Sequence, residues 1–165
     1  MATDTAVLKS ELAQTSGQFS TFFVGDLFFG VDVLRVQEVL RFQQMTRVPQ
    51  APQVIEGLIN LRGQIVTAID LRRRLGMSER PADQLPMNVV VRTDDGALSL
   101  LVDEIGDVIE VEEQTFEQPP ETLKGMEREM IRGVHKLPGS LLLVLDTERA
   151  VNKADSGPNA EERKP

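Results

Sequence analysis

Short runs of apolar and β-branched residues, joined in pairs by turn residues, dominate the chain between about residues 18 and 145. Each turn contains a glycine, which readily adopts the positive φ that tight hairpin turns require. Four antiparallel hairpins are predicted: Phe19–Val24 with Leu27–Val31, Gly57–Arg62 with Gln64–Leu71, Asn88–Arg92 with Ala97–Val102, and Ile131–Lys136 with Ser140–Leu145. Because no long amphipathic helix accompanies them, the pattern predicts an all-β protein built from small barrels or a sandwich.

Less regular segments predict the remaining elements. Asp32 is placed to cap a helical turn that gives way to a strand near Gln37, and Leu71–Leu75 before Gly76 resembles a short helix. The polar stretch Met77–Pro86 lies between the two groups of hairpins. We therefore predict one domain over 18–152, with a first barrel at about 18–75, a second at about 86–145 and a C-terminal helix at about 146–152. Residues 1–17 and 153–165 are predicted to be disordered tails.

The composition disfavours most catalytic sites. The 165 residues include no Cys, no Trp, no Tyr and a single His, so thiolate metal sites, cysteine nucleophiles and histidine clusters are excluded. The formal net charge of −8 argues against binding to nucleic acid, whose phosphates require a basic surface. There is no signal peptide pattern and no apolar run long enough to span a membrane, which predicts a cytoplasmic protein without direct membrane insertion.

Few polar residues are candidates for chemistry. His135 lies between a strand and a turn and is interpreted as an ordinary solvent-side histidine. Asp103, Glu104 and Asp107 lack the spacing of an EF-hand calcium loop, and a turn between two strands explains them better. Arg62 is placed at a hairpin tip, and the simplest interpretation is that Glu38 and Arg62 are both solvent-exposed residues of edge strands. An exposed ion pair would add only about 0–1 kcal/mol to stability, whereas arginine is enriched at the centres of recognition surfaces.

Several motifs together resemble the CheW coupling proteins of bacterial chemotaxis. The most specific are Asn60-Leu61-Arg62-Gly63 followed by Ile65-Val66, and Ile69-Asp70-Leu71-Arg72. The run from Val24 to Val39 resembles the start of the family domain, and Leu100–Ile109 resembles a later strand of the family. With Ile131–Val134 and Leu141–Leu145, the resemblance covers about residues 18–152.

The resemblance implies two packed SH3-like five-stranded β-barrels with short helices, and no catalytic, cofactor or metal site. It implies a cytoplasmic adaptor, recruited to membrane-associated receptor arrays, that couples chemoreceptor tips to the regulatory domain of a CheA-type histidine kinase. The residues matching the receptor-binding positions are Val36, Glu38, Gly57, Arg62, Val102, Ile105 and Val108. Those matching the kinase-binding positions are Val39, Leu40, Phe42, Gly63 and Gln64.

Two other functions are compatible with the sequence. The same coupling role in a non-flagellar pathway, such as pilus motility or second-messenger control, would use identical surfaces. A small β-barrel enzyme or ligand-binding protein would instead need a concave pocket containing a residue with a shifted pKa.

Overall fold

The architecture consists of eleven strands and a few short helices within the part of the chain that the computed structural model describes, residues 17–121, 123 and 126–150. The strands are β1 (Gln18–Val24), β2 (Leu27–Asp32), β3 (Val36–Leu40), β4 (Ile55–Leu61), β5 (Gln64–Asp70), β6 (Met87–Thr93), β7 (Gly96–Val102), β8 (Glu104–Glu110), β9 (Phe116–Glu117), β10 (Ile131–Leu137) and β11 (Ser140–Leu145). Apart from Gly17, the predicted tails lie outside the described residues.

The strands form two sheets whose order does not follow the chain. The six-stranded sheet has the order β8-β1-β2-β11-β10-β9, and the five-stranded sheet has the order β3-β6-β7-β5-β4. The all-β prediction with two units is confirmed, but the assignment of one barrel to about 18–75 and the other to about 86–145 is wrong. The chain leaves the first sheet after β2, builds the whole second sheet with β3–β7, and then returns. Parallel pairing of β11 with β2 completes the first sheet.

The four predicted hairpins are confirmed as antiparallel pairs: β1 with β2, β4 with β5, β6 with β7, and β10 with β11. The turn glycines Gly25, Gly63, Gly96 and Gly139 all have positive φ, from 59° to 116°. The turn residues therefore set the register of each hairpin locally, as expected from their backbone freedom.

Short helices begin where an aspartate caps them. The Asp32 carboxylate accepts a hydrogen bond from Leu34 N and starts a 3₁₀ turn at Val33–Arg35. Asp70 accepts from Arg72 N at the start of the helix Leu71–Arg74, which ends before Gly76 at φ +71°. A further helix, Met126–Met130, was not predicted. Residues 147–150 are helical after Asp146, as predicted, while positions 151–152 lie outside the described residues.

Apolar side chains form one large cluster shared by both sheets. Phe22 and Phe29 of the six-stranded sheet pack in it with Val89 and Leu100 of the five-stranded sheet, all fully buried. Each sheet also has a smaller cluster of its own, one around Phe19, Leu142 and Val144 and the other around Ile59, Ala68 and Leu101. Both sheets are thus apolar on two faces, which is typical of sheets that curl around their own small core.

A buried carboxylate joins the two sheets through ion pairs. Asp103, between β7 and β8, lies 2.6 Å from Arg72 Nη2 and 2.8 Å from Arg80 Nε, and its Oδ2 accepts a 2.7 Å hydrogen bond from Gly25 N. We call Asp103, Arg72 and Arg80 the ionic hub. Burial by itself would raise the pKa of Asp103, but the hydrogen bonds from Arg72, Gly25 N and Arg80 outweigh burial and lower the pKa to about 2.

The prediction of a turn at Asp103, Glu104 and Asp107 is wrong for the last two residues. Both belong to β8, which pairs with β1 at the edge of the six-stranded sheet. Acidic side chains are common on such edge strands because charge discourages pairing with other chains. The acidic sequence therefore suggested a turn, although Glu104 and Asp107 belong to an extended edge strand.

Candidate functional site

A two-pronged ion pair between Glu38 and Arg62 is the most distinctive polar feature on the surface. Arg62 Nη1 donates to Glu38 Oε2 at 2.8 Å, and Nη2 donates to Oε1 at 3.0 Å. The Arg62 side chain is 79% exposed and that of Glu38 is 17% exposed. Such a pair orients the guanidinium but leaves most of its surface accessible, which suits recognition better than stabilisation.

The pair spans the five-stranded sheet from one edge to the other. Glu38 lies on β3, Arg62 follows β4, and these two strands are the opposite edges of the sheet. An ion pair of this length between them requires the sheet to curl until its edges approach. Glu38 lies on an edge strand as predicted, but its side chain is mostly buried rather than solvent-exposed, whereas Arg62 lies at the exposed hairpin tip where it was placed, directly after its edge strand.

The hairpin tip holds Arg62 in an unusual backbone conformation. Arg62 has φ +51°, and the following Gly63 has φ +87°. The Asn60 side chain stabilises the tip by accepting a hydrogen bond from Gly63 N at 2.9 Å. Non-glycine residues rarely adopt positive φ, and such residues cluster at functional sites. The sequence Asn60-Leu61-Arg62-Gly63 thus presents the guanidinium on a defined turn.

Exposed apolar side chains occur on or next to β3, and on β5, the strand that follows the Arg62 turn. Val39 on β3 and Phe42 just beyond it are each more than one third exposed, and Ile65 on β5 is 62% exposed. We call Glu38, Val39, Phe42, Arg62 and Ile65 the edge surface. An arginine among apolar residues is the composition typical of an interaction hot spot. Sequence reasoning missed Ile65, because alternation along β5 places it on the same face as the buried Ile69 and gives no signal of its exposure.

The predicted kinase-binding residues all belong to the five-stranded sheet or its connections. Val39 and Leu40 are on β3, Phe42 follows that strand, Gly63 is in the tip and Gln64 begins β5. This set therefore includes the residues that directly follow Glu38 and Arg62, two residues that were predicted to contact the receptor.

The predicted receptor-binding residues divide between the two sheets. Val36 and Glu38 are on β3, Gly57 is on β4 and Arg62 follows it, while Ile105 and Val108 are on β8 of the other sheet. Val36 and Ile105 pack partly against the shared cluster, and Val108 is 60% exposed.

The prediction that Val102 is a receptor-binding residue is wrong. It is fully buried in the shared apolar cluster on β7, so its side chain supports the core and does not reach the surface. We therefore remove it from the predicted receptor-binding set.

Gly57 is explained by close backbone packing. A Cβ at this position would lie 2.7 Å from the Thr46 carbonyl oxygen and 3.2 Å from Met45 Cβ. The neighbouring Leu58 exchanges two backbone hydrogen bonds with Thr46, at 2.8 and 2.9 Å. Gly57 thus allows the segment after β3 to lie directly against β4.

The prediction that His135 is a solvent-side residue is wrong. His135 is buried on β10 between the rings of Phe19 and Phe116, whose centroids lie 5.6 and 5.2 Å from the imidazole. Thr115 Oγ1 is 2.8 Å from its Nδ1, and burial lowers the pKa of His135. A cavity of about 340 Å³ adjoins the ring.

Metal-binding clusters and membrane-spanning helices are both absent from residues 17–121, 123 and 126–150. Among these residues no group of three or more His, Asp or Glu side chains is arranged to hold a metal ion. No helix in the same part of the chain is long and apolar enough to cross a membrane.

Comparison with known proteins gives a consistent result. A family model described as the CheW-like domain matches residues 18–155. The chain is 32% identical to the chemotaxis protein CheW of Treponema pallidum over 136 residues, which cover 80% of each chain. It is 30% identical to the CheW of Bacillus subtilis over 143 residues, which cover 87% of this chain and 92% of the relative.

A solved structure has the same fold. The scaffolding protein TtCheW from Thermoanaerobacter tengcongensis superimposes with a TM-score of 0.74 at 27% sequence identity. The match covers 81% of this chain and 90% of the TtCheW chain.

Proposed function

The chain belongs to the CheW-like family, and from that premise we propose that it is a chemotaxis adaptor that couples chemoreceptors to a CheA-type histidine kinase. The match to the family over residues 18–155 carries this proposal. The name of TtCheW as a scaffolding protein supports a role in assembly. The edge surface supports it further, because it offers an oriented arginine and exposed apolar side chains without a catalytic arrangement of groups.

The adaptor works, in this proposal, by presenting two surfaces at once. The kinase regulatory domain contacts Val39, Leu40, Phe42, Gly63 and Gln64, and the receptor tip contacts Val36, Glu38, Gly57, Arg62, Ile105 and Val108. Two modest interfaces engaged simultaneously give far greater avidity than either alone. The protein itself performs no reaction, and its effect is to bring the receptor and the kinase into a defined arrangement. It acts in the cytoplasm and joins membrane-associated arrays through the receptors.

Reconstitution tests the function directly. Receptor cytoplasmic fragments, the kinase and this protein are mixed, and autophosphorylation of the kinase is measured with and without the protein. We expect receptor-dependent control of the kinase only when all three are present. Receptor control that is equally strong without the protein contradicts the proposal.

Charge exchange at the ion pair tests the contribution of Arg62. The single variants Glu38→Gln and Arg62→Gln break the pair, and the double variant Glu38→Arg with Arg62→Glu reverses it. If Arg62 contacts a receptor, the single variants and the double variant should all bind the receptor more weakly. If the ion pair is only structural, the double variant should restore receptor binding. Arg92→Gln is the matched control, because Arg92 is an exposed arginine on β6 of the same sheet.

Loss of binding must be separated from loss of folding. Because the Arg62 side chain is largely exposed, the pair adds at most about 1 kcal/mol to stability. We therefore expect unchanged circular dichroism and nearly unchanged melting temperatures for the variants. A large fall in melting temperature would instead assign Arg62 a structural role.

A further inference from the structure

The two proposed binding surfaces differ in how they depend on the fold. The kinase-binding residues all come from the five-stranded sheet or its connections. The receptor-binding residues come from both sheets, with Glu38 and Arg62 at one and Ile105 and Val108 on β8 of the other. Only the receptor surface therefore changes shape when one sheet shifts relative to the other.

The ionic hub lies at the junction between β8 and the five-stranded sheet, where such a shift would change hydrogen-bond distances. Asp103 immediately precedes β8, and its backbone N–H donates to the Phe23 carbonyl of β1 at 2.9 Å. Its carboxylate also binds the β1–β2 turn through Gly25 N. On the other side, Arg72 belongs to the helix that follows β5, and Arg80 lies in the connection to β6. One carboxylate thus ties the start of β8 to elements that extend from the five-stranded sheet.

The shared apolar cluster also joins the sheets, and away from β8 Asp94 N donates a hydrogen bond to Glu148 Oε1 at 3.0 Å. Apolar contact is not directional and tolerates small sliding, whereas buried charged hydrogen bonds impose defined distances and angles. Asp103, Arg72 and Arg80 have side chains exposed by 6%, 13% and 7%, so water can replace little of the geometry that they impose. The hub is therefore the directional part of the junction at β8.

We propose that Asp103, Arg72 and Arg80 are positioning residues for receptor binding, which hold β8 against the five-stranded sheet in the arrangement that a receptor tip recognises. This inference rests on the proposed function and adds a selective role to residues outside both surfaces. None of the three needs to touch the receptor. Their removal alters the distance between Ile105 or Val108 and the Glu38–Arg62 pair, while the kinase surface keeps its geometry.

The test measures the binding of each partner separately. Arg80→Gln is the principal variant, because Arg80 lies in a connection outside the strands and its loss leaves the Arg72–Asp103 pair in place. Asp103→Asn is the stronger variant, and Arg80→Lys retains the charge. Lys136→Gln is the matched control, because it removes an ion pair with Glu117 that is exposed and belongs to the far edge of the six-stranded sheet.

We expect Arg80→Gln to weaken binding of a receptor cytoplasmic fragment by roughly tenfold, a common size for coupling through an intermediate network. Binding of the kinase regulatory domain should stay within about twofold, because its proposed contacts all come from the five-stranded sheet and its connections and do not depend on the position of β8. Arg80→Lys should recover part of the receptor affinity, and Lys136→Gln should change neither affinity. Hydrogen exchange should show faster exchange of β8 amides in Arg80→Gln than in the wild type.

Two outcomes overturn the inference. If Arg80→Gln weakens both partners equally, the hub acts through general stability, and if it weakens neither, the hub has no positioning role. Failure of the proposed function is a separate result, because the wild-type protein would then bind neither the receptor fragment nor the kinase domain.

Discussion

Replacement of Asp103 by Asn tests the energetic role of the ionic hub. The substitution keeps the shape of the side chain and one oxygen that can accept from Gly25 N, but it removes the negative charge between Arg72 and Arg80. Both guanidinium groups remain buried with less compensation. We therefore expect a clear loss of stability with an unchanged fold.

The magnitude follows from the pKa of Asp103. A decrease from 3.8 to about 2 corresponds to roughly 2 kcal/mol, at about 1.4 kcal/mol per pKa unit. Removing one partner of a buried ion pair commonly costs about 3–5 kcal/mol, which sets the upper end of the expected loss. Because the folded pKa lies below the unfolded one, the contribution is fully present above the unfolded pKa and is lost as the pH falls toward the folded pKa.

Urea unfolding of the wild type and Asp103→Asn over a range of pH measures this contribution. Near neutral pH the difference in the free energy of unfolding should be about 2 kcal/mol or more. By about pH 3 roughly half of the part that depends on the Asp103 charge should be gone. The other carboxylates titrate in both proteins, so their effect largely cancels in the difference. A difference that stays constant from neutral to acid pH refutes the reasoning, because the charge of Asp103 would then contribute nothing.

Two further predictions concern Gly57 and His135. Gly57→Ala should lower the free energy of unfolding by about 2 kcal/mol, because the added methyl group collides with the Thr46 backbone; urea unfolding checks this, and an unchanged midpoint contradicts it. Wild-type stability should fall as the pH drops below about 6.5, since unfolding frees His135 to take up a proton that burial disfavours. His135→Gln should reduce this decline, and an identical decline in both proteins would show that other groups cause it.

Local turn chemistry made much of the fold predictable. Each hairpin is set by a glycine turn between two short apolar runs, and the aspartate caps at Asp32 and Asp70 act within two residues. The residue pattern predicted a turn at the start of β8 because Glu104, Asp107 and Glu110 hide its apolar residues, and because its pairing with β1 joins distant parts of the chain. The distribution of strands between sheets depends on the same kind of long-range pairing.

Two residues of the candidate site could be selected from the sequence, but the geometry of the site could not be predicted. Glu38 and Arg62 could be selected because an exposed arginine in a tight turn has little structural purpose. Their contact across 24 residues depends on the curl of the sheet, which no local pattern reveals. The burial of His135 depends likewise on Phe19, which is remote in sequence. The ionic hub joins Asp103 to residues 31 and 23 positions away, so its members could only be recognised as separate charges.

The route of the chain between the sheets has a consequence for biosynthesis. Strands β3–β7 are consecutive, so the five-stranded sheet can assemble as soon as residue 102 has left the ribosome. The six-stranded sheet contains β1 and β2 but also β8–β11, so its first hairpin must wait for the last strand to be translated. During this interval Phe22 and Phe29 lack most of their sheet, and exposed apolar surface of this kind promotes aggregation. Slow translation beyond residue 102 would therefore prolong the time during which this apolar surface is exposed and can promote aggregation.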